Sequence, residues 1–105
     1  MYICSMNNEE PLQDYYAYSN AEVAAQLGER FRRWRSALGL SQKEVALQSG
    51  VSVMTIVRFE RGQGNSIRLD NLIALLRAIQ RLDDIALLVP EMPQSLYDSH
   101  KKRKR

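Results

Sequence analysis

Between Leu40 and Gly62 lie two short segments that carry their own start and stop signals and meet across Gly50-Val51-Ser52. The first opens on Ser41-Gln42-Lys43-Glu44, a capping box. In that box the serine hydroxyl accepts from the Glu44 amide while the Glu44 carboxylate reaches back to the Ser41 amide. This segment carries Val45 and Ala46 inward and stops at Gly50. Ser52 caps the second segment, whose Ile56 and Phe59 share one face at i, i+3, and Gly62 ends it. A glycine at position 50 permits a left-handed turn, Val51 is apolar enough to pack beneath it, and the small Ala46 lets the two helices approach closely.

The flanking segments supply the rest of a core. Val23, Leu27, Phe31, Trp34 and Leu38 recur at spacings of four, four, three and four, which predicts a helix over 21–38 with this stripe facing inward. Gly39 stops it. A loop with Gly64, Asn65 and Ser66 leads to a fourth helix with Leu69, Leu72, Ile73, Leu76 and Ile79 on its core face. Asp83 or Asp84 then caps a last short helix with Ile85, Leu88 and Val89, closed by Pro90; the run is short enough for a strand instead. The expected fold class is all-α, four or five short helices around one core. The expected organisation is an N-terminal arm over 1–20, a helical domain over 21–90 and a basic tail over 91–105. The arm is polar, with Tyr15, Tyr16 and Tyr18 close together, and reads as flexible or loosely packed.

At 105 residues the chain makes one domain. A single cysteine allows no internal disulfide and fits a reducing compartment, no apolar run approaches the roughly 18–20 residues of a membrane span, and residues 1–10 do not read as a secretory signal. A cytoplasmic protein with no membrane partner is expected. Charge is unevenly placed. The last five residues, Lys101 to Arg105, are all basic; residues 20–82 hold the other ten bases against five acids; residues 1–19 and 83–100 carry acids and no Lys or Arg. A basic middle suits a polyanionic partner, or is a solvated face. Enzyme chemistry has little to stand on. His100 and Cys4 lie near opposite ends, metal-ligand spacings are absent, and Gly62-Gln63-Gly64 is a helix exit and not a phosphate loop. No catalytic residue, metal or cofactor is expected.

Two short helices joined in this way form a helix-turn-helix, whose second helix enters the major groove of DNA. The residues that carry it are Leu40-Ser41-Gln42-x-Glu44-Val45-Ala46, Ser49-Gly50-Val51-Ser52 and Thr55-Ile56-x-x-Phe59-Glu60-x-Gly62. Over about 25–82 the chain resembles the Cro/repressor-like (XRE) helix-turn-helix family. That resemblance implies base contacts from Val53, Met54, Thr55 and Arg58. Val53 and Met54 stand where many relatives carry glutamine; they have no side-chain hydrogen bond to offer a base but can touch thymine methyl groups. Arg58 suits guanine O6 and N7 in a bidentate contact, or else a phosphate. Ser41 and Gln42, at a helix start, and Lys43 and Arg61 are the expected phosphate contacts. The resemblance also implies a partly buried ion pair between Arg35 and Glu60.

A single helix-turn-helix reads few base pairs, so a homodimer on a double-stranded operator is expected. Its interface would draw on Leu82, Ile85, Leu88 and Val89, together with Leu96 and Tyr97, unless these only close the monomer core. The tail 101–105 tracks phosphates, meets an acidic protein or stays solvated. Thr55-Ile56-x-x-Phe59-Glu60, the Asn65-Ser66 loop and the leucine-rich fourth helix are most similar to repressor-antitoxins of HipA-type kinase toxin systems. This similarity implies an autoregulating repressor with a HipA-like kinase as partner; the alternative is a stand-alone regulator.

Overall fold

The computed structural model describes residues 14–63 and 67–95. Their regular elements are all helical: α1 (Asn20–Ala37), α2 (Gln42–Ser49), α3 (Val53–Glu60), α4 (Leu69–Ala78) and the single-turn α5 (Ile85–Leu88), with 3-10 turns at Tyr15–Ala17 and Leu82–Asp84. The Ile85–Val89 run is therefore a helix that gives way to extended backbone at Val89. At the end of the expected arm, residues 14–20 are exposed and form the first 3-10 turn, the cap of α1 and its first residue. Leu96, Tyr97, Cys4, His100, the tail 101–105 and the loop 64–66 lie outside the described residues.

The starts of the first three helices are set locally. Ser19 and Glu22 form a capping box on α1, Ser41 and Glu44 another on α2, and the Ser52 hydroxyl accepts from the Thr55 amide at the start of α3. The last helix departs from expectation. Asp84 occupies its N-cap position, but the Asp84 carboxylate makes no cap bond and is drawn instead to the Arg81 guanidinium at 2.7 Å, where two charge-assisted bonds outcompete one backbone amide. The glutamine after α4, Gln80, adopts a left-handed conformation with φ of 64°.

The core is Phe31, Val45, Val51, Ile56, Phe59, Leu75 and Ile79, with Leu40, Ala46, Leu72 and Leu76 packed around it. The Phe31 and Phe59 rings meet tilted, with centroids 5.5 Å apart. Two inward assignments from periodicity need correcting. Of the α1 stripe only Phe31 is buried; Val23 is half-buried, and Leu27, Trp34 and Leu38 are exposed, because the helices opposite are too short to cover an 18-residue rod. On α4, Leu69 is exposed, and Leu75, not among the predicted core residues, is fully buried. Apolar side chains span so much of α4 that the pattern left its inward edge open.

Two contacts lock α1 to α3. At the first, Gly28 is buried and a Cβ placed there would lie 1.9 Å from the Phe59 carbonyl oxygen, so only a glycine lets the backbones approach this closely. One turn away the same seam continues, where a Cβ on Gly62 would lie 3.1 Å from that of Ala25. At the second, Glu60 is almost sealed from water, its side chain 3% exposed. Its Oε2 accepts from Arg35 Nε at 2.6 Å, and its Oε1 accepts from Arg35 Nη2 at 2.9 Å and from Gln42 Nε2 at 3.0 Å. Arg35 Nη1 donates in turn to the Leu40 carbonyl at 2.7 Å. One carboxylate thus ties α1, α2, α3 and the α1–α2 connection.

Removing one member of a buried pair leaves the other charge without its counter-ion. Glu60→Ala should lower unfolding free energy in a urea titration by about 3–5 kcal/mol, and the Arg35→Met/Glu60→Leu double variant should cost clearly less. Gly28→Ala should destabilise by at least about 1–3 kcal/mol in the same titration, since the methyl group meets backbone and not a movable side chain.

Candidate nucleic-acid interface

α2 and α3 are joined through Gly50, Val51 and Ser52. Gly50 is left-handed, with φ of 77°, and its amide donates to the Ala46 carbonyl at 2.9 Å. Val51 is buried beneath the turn, and its amide donates to the Ser49 hydroxyl at 3.1 Å. With Val45, Ile56 and Phe59 anchoring the inner faces, the opposite face of α3 is left outward. On it Val53, Met54 and Arg58 are exposed, Met54 by 55%. The entrance of α3 is therefore an apolar tip, followed one turn later by a cation.

Lys43 and Arg61 are also exposed, on α2 and just beyond α3. Among the described residues, Lys43, Arg58 and Arg61 make no ion pair. The arginines of α1 differ. Arg32 and Arg33 both reach Glu29, at 2.6 and 3.1 Å, and the Arg32 hydrogen bond helps hold the Glu29 carboxyl below its ordinary range. Arg30 donates to the Tyr15 hydroxyl at 2.9 Å. Positive charge near the turn is thus available to an anionic ligand, while much of that on α1 is already engaged.

Several expected site residues have inward partners. Gln42, read as a phosphate contact, turns its amide to Glu60, so what remains outward at this position is the helix start itself and the second amide proton. The Ser41 hydroxyl accepts from Glu44 at 3.0 Å and keeps its own proton to donate. Thr55 is half-buried, and its Oγ1 lies 2.9 Å from the Ser52 hydroxyl, inside the cap of α3. Arg35 and Glu60 are brought together as described above. Leu82 and Ile85 are half-buried against the domain, whereas Leu88 and Val89 are 59% and 81% exposed. Sequence reasoning passed over Leu47, an exposed leucine on α2; its place two residues after the inward Val45 was the available signal.

No helix among the described residues is long and apolar enough to cross a membrane. The helix-turn-helix family profile matches residues 31–84, which is just over half of the chain. The match opens within α1 and closes before α5, so it takes in both helices of the turn, the Glu60 network and α4. No curated protein gives a significant match to the chain. A buried inner face, an outward second helix with unpaired cations around it, and a family match across both together identify the chain as a member of the helix-turn-helix family, a DNA-binding transcription regulator.

Proposed function

We propose that this regulator is an operator-specific repressor that acts as a homodimer in the cytoplasm and represses its own operon. The observation that supports it best is the outward face of α3, where Val53, Met54 and Arg58 are exposed beside a tip of free backbone amides. In this reading α3 lies in the major groove. Val53 and Met54 meet base edges through van der Waals contact, Arg58 takes guanine O6 and N7, and Thr55 reaches a base or sugar while it keeps its place in the cap. Ser41, Lys43, Arg61 and the start of α2 at Gln42 hold phosphates and set the register. The Arg35–Glu60 pair works from behind, holding α3 at its angle to α1.

Two half-sites related by a two-fold axis require two copies of the domain. Leu82, Ile85, Leu88 and Val89 are the surface proposed to join them: the first two rest on the domain and the last two extend outward. The basic residues 101–105 follow this segment in the chain and are proposed to track phosphates beyond the half-site. A HipA-type kinase toxin is the proposed protein partner, on the strength of the Thr55-Ile56-x-x-Phe59-Glu60 pattern and the leucine-rich α4.

Operators selected from a random oligonucleotide pool provide the substrate for the test. Arg58→Ala should weaken operator binding about 10- to 100-fold and relax one position, and Lys43→Ala should reduce the salt slope by about one without changing the sequence preference. Unchanged operator affinity in Arg58→Ala would remove Arg58 from the base contacts. The partner is tested by co-expression with a kinase-like reading frame neighbouring the gene. Stable co-purification is expected; operator binding without any co-purifying kinase leaves a stand-alone regulator.

A further inference from the structure

α1 and α4 enclose an apolar groove. Its floor and walls are Leu27, Phe31, Trp34, Leu72, Leu76 and Ile79, and its volume is about 170 Å³. One end is closed by the Arg81–Asp84 ion pair, with the Arg81 guanidinium carbon 4.5 Å from the centre of the Trp34 ring. Trp34 remains 44% exposed and Leu27 is exposed beside it, so the domain leaves an apolar wall facing outward. Next along the chain comes the opposite shape. α5 and the residue after it present Leu87, Leu88 and Val89, all largely exposed.

We propose that this groove receives the protruding leucines of α5, Leu87 and Leu88, from a second copy of the chain. The inference rests on the homodimer reading and specifies what the two copies bury. Three observations carry it. First, α5 is one turn long, about 6 Å, and its apolar residues alone fall far short of the roughly 1,200–2,000 Å² that a stable interface buries. The interface must therefore extend, and the apolar surface continuous with α5 is the groove, reached through Asp84 at its rim. Second, each copy carries both the hole and the projection, the condition for a two-fold contact in which the same surface serves both partners. Third, the size fits. An apolar cavity of about 150 Å³ takes a benzene-sized group, so this one has room for a leucine side chain. Tryptophan and arginine, which meet at this groove as Trp34 and Arg81, are also residue types enriched at the energetically dominant positions of interfaces.

Trp34 is the only tryptophan in the chain, so its emission reports the groove directly. The full chain is diluted stepwise, with sedimentation velocity and tryptophan emission followed on the same samples. The expected result is an emission that moves to the blue, and resists acrylamide quenching, in step with dimer formation. Leu88→Asp should raise the dimer dissociation constant at least about tenfold and shift the emission change by the same factor in concentration. Leu88 is exposed in the single copy, so this variant keeps its fold, which circular dichroism checks. A dimer that forms while Trp34 emission stays constant overturns the groove contact and leaves the homodimer standing. Emission that is blue at every concentration, and moves to the red when residues 1–13 are deleted, overturns it in favour of the chain's own N-terminal segment. Sedimentation as a monomer throughout overturns both this inference and the homodimer reading.

Discussion

The Glu60 carboxylate is in an unfavourable place by every measure except its partners. It is withdrawn from water, and it lies in the last turn of α3, where the helix dipole already presents negative charge. An isolated carboxylate there would be expelled or neutralised. The fork of Arg35 supplies two hydrogen bonds and a full counter-charge, and Gln42 adds a third donor. Because the cost of leaving any of these groups unpaired is high, the arrangement tolerates few alternatives. α1, α2 and α3 have to be where they are for the charge to remain buried. The angle at which α3 is held against α1 and α2 therefore depends in part on satisfying this one carboxylate.

Packing supports the same geometry without charge. Gly28 removes the side chain that would hold α1 away from the Phe59 carbonyl, and Ala25 faces Gly62 just past the end of α3. Small residues at the crossing let two backbones touch, while Phe31 and Phe59 fill the space on the core side. Gly28 and Arg35 are seven residues apart, two turns of α1, so both contacts with α3 fall on one face of the rod. A single contact would leave α3 free to swivel about it; two do not.

Features decided within four residues were legible in the sequence. The Ser41–Glu44 box, the Ser52 cap, the turn at Gly50 and the exit at Gly62 are local bargains between neighbours, and the helix-turn-helix follows from them. Features that depend on a distant partner were less so. The Ser19–Glu22 box is of the same local kind, though the reading of 1–20 as an arm passed over it, whereas a glycine at 28 signals only a weaker helix until the Phe59 carbonyl is in view. The inward bond of Gln42 was hidden because its partner lies 18 residues away. On α4 the apolar residues Leu69 to Ile79 cover an arc of roughly 160° at 100° per residue, wider than the core can use. Periodicity gave the side of the helix and left its edge undecided, which is why Leu75 and Leu69 exchanged places. The long stripe on α1 taught the same lesson in the other direction: regular spacing specifies a common face, and burial needs something opposite.

The family match begins at Phe31, yet α1 begins at Asn20, with its cap at Ser19. Eleven residues, about 16 Å of helix, extend past the shared motif as an unbroken part of the same rod. No joint separates the common portion from the addition. The 3-10 turn just ahead of Ser19, tied back to α1 by the bond from Arg30 to the Tyr15 hydroxyl, therefore keeps a set compass bearing relative to α2 and α3, in the way an outrigger shares the heading of its hull.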